Sequence, residues 1–341
     1  MPNRRRAVAA LTALAAAPLL TTTAQARSPE PGPSKAPKAR PAEALAVRRT
    51  PARARLIAAD RVSERVLDLT VDSPALGRAG HARVLLPTGY DRRPHHRWPV
   101  VYLLHGCCDP GPGWEAWTLN TDVEAITAAI PALIVSPEGG PAGFYSNWWN
   151  GGHYGPPAWE TFHLAELRPL LERALRANGR RAIAGLSMGG FGALSYAAHH
   201  PRLFRAAASF SGVIHTTLDP AGIQGILTGQ GADPTALWGD PAAQSALWDA
   251  HNPYALIPRL PRGYPLYVAC GNGAPGPLDP PGRPEDTLER GLGEMAQRYV
   301  RRARTHGLAV TAHLYGPGTH TWPYWERELT RALPLLTAPL T

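Results

Sequence analysis

Ser187 is the residue whose surroundings most clearly predict chemistry. It is the centre of Gly185-Leu-Ser-Met-Gly189, a G-x-S-x-G pattern that follows the apolar run 182–186 and precedes a stretch that can form a helix. A buried strand, a sharp turn that carries a serine, and a helix together form a nucleophile elbow, which presents the serine hydroxyl at a helix N-terminus. The turn strains the serine backbone, and the flanking glycines let strand and helix pass closely. We therefore expect Ser187 to be a nucleophile.

A serine hydroxyl is a weak nucleophile at its own pKa, so it needs a base, and the base needs a third group to orient it. After an elbow of this kind the acid follows in the chain, and then the histidine. We expect the histidine in the loop after the last strand, where His320 is the candidate. His313 falls inside that predicted strand, 308–315, and is expected to be structural.

The acid should follow the predicted strand that ends at Cys270. Four acidic residues meet this condition, namely Asp279, Glu285, Asp286 and Glu289. Their positions alone do not choose among them.

These residues need a scaffold, and the pattern of the chain predicts one. Short apolar runs alternate with amphipathic stretches from about residue 60 onward, which indicates an α/β fold with a mostly parallel central sheet and helices on both faces. With the elbow, this is the α/β-hydrolase fold. Two antiparallel strands, Val66–Val71 and His81–Leu86, should begin it, and Thr121–Ile130 should be a helix. A second helix, 159–175, should be kinked at Pro169 or should truly begin there, and Ala221–Ala250 should form short helices with loops.

A tetrahedral intermediate needs two preorganised N–H donors for its oxyanion. The amide of Met188, the residue after the nucleophile, should supply one. The other should come from the loop after the predicted strand 99–104.

Five segments of the chain resemble the antigen 85 mycolyltransferases, and they also place it in the broader group that includes esterase D and S-formylglutathione hydrolase. The segments are Gly143-Phe-Tyr-Ser-Asn-Trp-Trp, Trp159-Glu-Thr-Phe, Gly185-Leu-Ser-Met, Cys270-Gly-Asn-Gly and Gly318-Thr-His-Thr-Trp-Pro-Tyr-Trp. The resemblance covers nearly everything from Val66 to Leu336. It implies that the acid is Glu289, because Pro284-Glu-Asp-Thr-Leu-Glu matches the family's P-x-x-x-L-E run. Asp279 is the second candidate, and Glu285 and Asp286 are expected to be solvated acids of a first helical turn.

The resemblance also places the second oxyanion donor at the backbone of Cys107. The mycolyltransferases carry an Asp and an Arg nearby that help to hold trehalose, and here His105 and Cys108 stand in those places. That departure argues against trehalose as the acceptor. Cys107 and Cys108 could form a vicinal disulfide or remain two buried thiols, and the sequence favours neither.

Several aromatic and polar residues are candidates for a substrate pocket. Trp322 directly neighbours the expected base, and the others could line an acyl or sugar site, although core packing explains each of them as well. They are Asn120, Tyr145, Trp148 and Trp149. The adjacent pairs His95-His96 and His199-His200 are interpreted as surface histidines, and the motifs predict neither a metal nor another cofactor.

The first 59 residues are predicted to lie outside the catalytic domain. Residues 1–26 have the basic start, the apolar run and the Ala24-Gln25-Ala26 cleavage site of a signal peptide, which predicts a secreted or envelope-associated protein exported by a Sec or a Tat pathway. Residues 27–59 have the composition of a Pro/Ala/Arg-rich disordered tether, and residues 60–341 should form the hydrolase domain.

The charge of the chain is concentrated in that N-terminal part. Eleven of the 35 Lys and Arg residues, but only two of the 26 acidic residues, precede Asp60, which leaves 24 of each sign after it. This balance argues against a nucleic-acid partner. The basic tether could contact an anionic cell envelope, although a solvated linker is the simpler interpretation.

Taken together, the sequence predicts a secreted serine esterase that forms an acyl-serine on a small, lipid or sugar ester. The first alternative is an acyltransferase of the mycolyltransferase kind, acting on a sugar or glycerol. The second is a non-catalytic binding protein of the envelope or matrix, which an intact Ser-His-acid set argues against. Acyl length and oligomeric state are not predicted.

Overall fold

The computed structural model describes residues 53–108 and 111–341. The predicted signal peptide and most of the predicted tether therefore lie outside the described residues. Within the described ranges, no helix is long and apolar enough to cross a membrane.

In the described part of the chain, nine strands form one sheet in the order β1-β2-β3-β5-β4-β6-β7-β8-β9. Pairing is antiparallel from β1 to β5 and parallel from there to β9, so the sheet is mostly parallel with an antiparallel edge. The strands are β1 Arg55–Arg61, β2 Val66–Ser73, β3 Arg78–Leu85, β4 Trp98–Leu104, β5 Leu133–Pro137, β6 Ala177–Leu186, β7 Ala207–Phe210, β8 Pro265–Cys270 and β9 Ala309–Leu314.

Ten α-helical segments connect or cover these strands. They are α1 Ala116–Asn120, α2 Val123–Ile126, α3 Trp159–Thr161, α4 Arg168–Ala174, α5 Met188–His199, α6 Pro220–Gly229, α7 Ser245–His251, α8 Pro253–Leu256, α9 Thr287–Thr305 and α10 Trp322–Thr337.

The sheet separates two apolar cores. Alternate residues of β4 point into different cores, with Val100 in one and Val101 in the other. Helices α4, α5 and α9 pack into the first core, while α10 packs into the second. Because both faces are covered, β4 is buried along its whole length and reads in sequence as a continuous apolar run. The predicted mostly parallel sheet with helices on both faces is confirmed.

Two local predictions are wrong. The tether was expected to extend to Ala59, but β1 already begins at Arg55; it is an exposed edge strand, so its polar composition looks like that of a linker. The helix expected over Thr121–Ile130 is reduced to the single short helix α2, Val123–Ile126; Thr121 is extended and separates it from α1, which lies before the predicted span.

Pro169 marks the start of a helix, as the second interpretation of this proline predicts, because α4 begins at Arg168 and the proline lies in its first turn. A π-helical segment, Phe162–Leu167, joins α3 to α4 immediately before Pro169. Proline lacks an N–H and crowds the preceding turn, so a wider turn is the expected accommodation. The stretch expected to contain short helices holds α6 and most of α7.

Candidate active site

The elbow at Ser187 is formed as the sequence predicts. Ser187 lies between β6 and α5 with a φ of +53° and a ψ of −120°, in the strained conformation that such a turn requires. A Cβ added to Gly185 would lie 2.3 Å from the carbonyl oxygen of Gly189. One added to Gly189 would lie 2.5 Å from the carbonyl oxygens of Leu104 and His105. The glycines are therefore required by close backbone packing.

Ser187, His320 and Glu289 form one hydrogen-bonded chain. The Nε2 atom of His320 lies 3.0 Å from the Oγ of Ser187, and its Nδ1 atom lies 2.8 Å from the Oε2 of Glu289. With the ring proton on Nδ1, His320 donates to the carboxylate and accepts the serine O–H. Ser187 and His320 follow β6 and β9, and Glu289 lies in the first turn of α9 after β8, so all three are at the carboxyl ends of parallel strands.

Glu289 is fully buried, and its second oxygen is surrounded by donors. Oε1 accepts hydrogen bonds from the amide of Gly271 at 2.7 Å, from the hydroxyl of Ser211 at 2.8 Å and from the thiol of Cys270 at 3.2 Å. Burial opposes ionisation most strongly, but the hydrogen bond and the charge of His320, together with the Gly271 and Ser211 bonds, lower the pKa of Glu289 below its ordinary value. The carboxylate is thus held ionised while Oε2 stays free for His320.

Asp279, the second candidate acid, points elsewhere. Its carboxylate accepts hydrogen bonds from the hydroxyl of Thr319, from that of Tyr324 at 2.8 Å, and from the amide of Gly276 at 2.8 Å. It therefore ties the loop before His320 to α10 rather than orienting the imidazole.

The other two acids differ from each other. Glu285 is exposed and pairs with Arg290, as expected of a solvated first-turn acid. The same expectation for Asp286 is wrong, because its carboxylate accepts the backbone N–H groups of Glu289 and His320, each at 3.0 Å. Sequence reasoning missed this role because the second contact joins residues 34 apart in the chain.

Of the two predicted oxyanion donors, Cys107 lines the same cleft as Ser187, and Met188 directly follows Ser187 in the chain. The N–H of Met188 belongs to the first turn of α5, where amides have no partner within the helix. Cys107 and Cys108 are joined in a vicinal disulfide, which resolves the alternative that the sequence left open. The amide of Cys108 donates to the carbonyl of Pro141 at 3.2 Å, whereas no described residue accepts the amide of Cys107.

His105 supports this loop from inside the protein. Its Nδ1 lies 2.6 Å from the carbonyl of Gly106, and its Nε2 accepts the amide of Gly139 at 2.8 Å. Burial lowers the pKa of His105 to about 4, so the ring is neutral at pH 7. The hydroxyl of Tyr145 donates to the His105 carbonyl at 2.9 Å. Because Tyr145 is 1% exposed, its prediction as a substrate contact is wrong.

The other predicted substrate contacts also lie outside the cleft that contains Ser187. Trp148 donates its indole N–H to the carbonyl of Gly143. Asn120, the last residue of α1, donates its side-chain N–H to the carbonyl of Ala116 in the same helix. Trp322 packs edge-on against two other tryptophans. Each is thus engaged in local structure, and Trp149 likewise does not line the cleft.

A cleft of about 600 Å³ opens beside Ser187 and His320, between α6 and α9. Its walls are mostly apolar and include Val213, Leu218, Ile223, Ile226, Leu288, Leu292 and Met295. Sequence reasoning missed this cleft because these residues resemble the core-facing side of two helices. Leu288, which lines the cleft, is 51% exposed in spite of being large and apolar.

The pair His199-His200 differs from the expected surface histidines. The carboxylate of Glu160 lies 3.3 Å from Nδ1 of His199 and 2.7 Å from Nε2 of His200. Both rings therefore fix the end of α5 to α3, on the side of α5 opposite to Ser187.

Comparisons with known proteins agree with this architecture. A family model described as "Putative esterase" matches residues 73–336. Diacylglycerol acyltransferase/mycolyltransferase Ag85B of Mycolicibacterium smegmatis is 31% identical over 288 residues, which cover 78% of this chain and 82% of that protein. Ag85C of Mycobacterium leprae is 32% identical over 249 residues, 69% of this chain and 73% of that protein. The crystal structure of Mycobacterium tuberculosis MPT51 has a TM-score of 0.67 at 24% identity and covers 82% of this chain and 100% of that chain.

The fold and the Ser-His-Glu chain define an α/β-hydrolase. More specifically, the chain belongs to the Esterase family, and its relatives include antigen 85 mycolyltransferases. The resemblance predicted from the five sequence segments is confirmed. Family membership supports esterase or acyltransferase activity.

Proposed function

We propose that the protein is a serine esterase that acts through an acyl group on Ser187. The observation that carries this proposal is the position of His320, whose two ring nitrogens lie 3.0 Å from Ser187 Oγ and 2.8 Å from Glu289 Oε2. A surface serine in a glycine-rich turn has no reason to meet a histidine that is held by a fully buried carboxylate.

The first half of the reaction forms the acyl-enzyme. His320 Nε2 takes the proton of Ser187 while Oγ bonds to the ester carbonyl carbon, and Glu289 stabilises the imidazolium that results. The amides of Met188 and Cys107 donate to the oxyanion. The tetrahedral intermediate then collapses, the bond to the alcohol oxygen breaks, and His320 Nε2 gives its proton to that oxygen.

The second half releases the acyl group. His320 Nε2 takes a proton from the acceptor, whose oxygen bonds to the acyl carbon, and the bond to Ser187 Oγ breaks as Oγ regains the proton. With water the product is a carboxylic acid, and with an alcohol it is a new ester.

The cleft between α6 and α9 supports an apolar acyl group. Ser187 lies at its wall, and the partly exposed Leu218 and Ile226 and the exposed Leu288 offer hydrocarbon surface that a short acetyl group cannot cover. Each CH₂ removed from water contributes about 0.8 kcal/mol, so a chain that fills the cleft should bind better than acetyl. We therefore favour medium to long acyl esters.

Water is the acceptor that we favour. The printed names of the two relatives state acyl transfer, which keeps an alcohol acceptor as the second candidate. However, His105 is buried behind the oxyanion loop and cannot bind a sugar in the way proposed for the acidic residue of the mycolyltransferases. We also propose export, on the signal-like residues 1–26, and the basic tail remains a candidate envelope contact.

Hydrolysis of p-nitrophenyl acetate, butyrate, octanoate and palmitate tests the proposal. Ser187→Ala should abolish turnover, while Ser245→Ala, at an exposed position on α7, should leave it unchanged. The octanoate and palmitate esters should have higher kcat/KM than the acetate. Acyl-glycerol or acyl-trehalose formed in the presence of either alcohol would move the protein to the acyltransferases. A folded protein without Ser187-dependent turnover of any of these esters would contradict both the esterase and the acyltransferase activity, and would favour the binding-protein alternative.

A further inference from the structure

Asp286 lies between the acid and the base but takes no part in their mutual hydrogen bond. Its Oδ1 accepts the N–H of Glu289 at 3.0 Å, and its Oδ2 accepts the N–H of His320 at 3.0 Å. Its own N–H donates to the carbonyl of Gly273 at 2.7 Å. One side chain thus joins the start of α9 to the loop after β9.

This arrangement exceeds what a helix cap requires. An N-cap residue needs one side-chain oxygen to satisfy an N–H of the first turn, and here that oxygen is Oδ1. The second oxygen reaches His320, in another loop. The Asp286 side chain is 16% exposed, so both bonds are largely shielded from water.

The surrounding loops meet closely at this point. A Cβ added to Gly273 would lie 2.1 Å from the carbonyl oxygen of Asp286, so only glycine permits the approach. The loop before His320 is also attached at Gly318, whose N–H donates to the carbonyl of Ala274 at 2.6 Å. Between Gly318 and α10, the side chain of Thr319 donates to Asp279, and the bond to Asp286 attaches the main chain of His320 itself to the acid-bearing segment.

We propose that Asp286 is a positioning residue that fixes the His320 backbone relative to that of Glu289. The 2.8 Å hydrogen bond between His320 and Glu289 joins two residues that lie 31 positions apart in the chain. Because Asp286 binds the main chain of both residues, it sets their separation before either side chain adopts a rotamer. This inference rests on the proposed function of the Ser-His-Glu chain.

Substitution by serine separates this role from helix capping. Asp286→Ser keeps a good N-cap for Glu289, but a single hydroxyl cannot accept both N–H groups. We expect a melting temperature close to that of the wild type, an unchanged KM, and a kcat for p-nitrophenyl butyrate roughly 10- to 100-fold lower. Asp286→Ala should lower both kcat and the melting temperature. Glu285→Gln, at the exposed neighbouring position, is the matched control and should change neither.

Hydrogen–deuterium exchange provides a readout that does not require turnover. In Asp286→Ser the peptide that spans residues 316–321 should exchange faster than in the wild type, while the rest of α9 should be unchanged. Wild-type kcat and wild-type exchange in this variant would overturn the inference. A kcat that falls only in step with the melting temperature across the serine and alanine variants would assign Asp286 to capping alone, which also overturns it. Absence of Ser187-dependent turnover in the wild type would defeat the proposed function instead, and the exchange comparison would still decide the role of Asp286.

Discussion

The nucleophile and its partners are positioned in two different ways. On the nucleophile side, β6, Ser187 and α5 are consecutive, and glycines packed against backbone fix the turn. On the acid–histidine side, the segments 270–289 and 315–321 are distant in the chain and are held by side-chain hydrogen bonds such as those of Asp286. A short local motif can specify the first arrangement, whereas the second requires the whole fold.

Removing the charge of the acid should have the largest effect. In Glu289→Gln, the new NH₂ group faces either the donors around Oε1 or the Nδ1–H of His320. In the first orientation those donors lose their acceptor. In the second the imidazole loses its acceptor or must change its tautomer. We expect kcat to fall about 10³- to 10⁴-fold with little change in KM. Steady-state kinetics checks this, with Glu285→Gln as the control. Near wild-type kcat in Glu289→Gln would mean that another acid orients His320.

Adding a methyl group on the nucleophile side should disturb backbone packing instead. The Cβ of Gly189→Ala would lie 2.5 Å from two carbonyl oxygens, so α5 or β4 must move. We expect a loss of about 1–3 kcal/mol in the free energy of unfolding, with lower activity in the fraction that folds. Denaturant titration measures this.

Gly225→Ala is the matched control, because no atom lies within 4 Å of its added Cβ on α6. It should raise the free energy of unfolding by about 0.5–1 kcal/mol, as expected for alanine in a helix interior. Equal effects of the two substitutions would show that close packing does not fix the elbow.

The two sides should also lose stability in different pH ranges. On the nucleophile side, burial lowers the pKa values of His105 and His163 to about 4. As pH falls from about 6.5 to 4 the unfolded chain binds protons that the folded chain excludes, so each ring reduces the free energy of unfolding by on the order of 3 kcal/mol. For Glu289 the pKa is lowered, so its contribution is present above the ordinary glutamate pKa and is lost only at lower pH.

A substitution at His163 tests this separation. The ring accepts from the hydroxyl of Tyr196 at 2.8 Å and donates to the carbonyl of Glu138 at 2.7 Å, and glutamine can supply one acceptor and one donor. Thermal melts of His163→Gln should show a smaller decline between pH 6.5 and 4 than the wild type. His153→Gln, at an exposed position, should leave the decline unchanged. An unchanged decline in His163→Gln would contradict the assignment of buried neutral rings.

The difference between the nucleophile side and the acid–histidine side also determines which features the sequence predicts. The strand, turn and helix around Ser187 are local, so the elbow follows from pattern. His320 follows from the order of elements in the fold. Glu289 is separated from the other three acids only through family resemblance, because all four follow the same predicted strand.

Other features depend on contacts that no local pattern contains. The role of Asp286 arises where two distant loops meet. The cleft arises where α6 faces α9, and its apolar residues look like core in the sequence. The aromatic residue Tyr145 was misassigned for the converse reason, since the core uses the same residue types as a binding pocket.

The most direct test of the central claim is to trap the acyl-enzyme. The protein is mixed with p-nitrophenyl butyrate, quenched in acid within the first turnover, digested, and analysed by mass spectrometry, with Ser187→Ala in parallel. We expect a burst of about one p-nitrophenol per active site and a butyryl group on the peptide that contains Ser187. Turnover retained by Ser187→Ala, or a butyryl group on a different residue of the wild type, would contradict the assignment of Ser187 as the nucleophile.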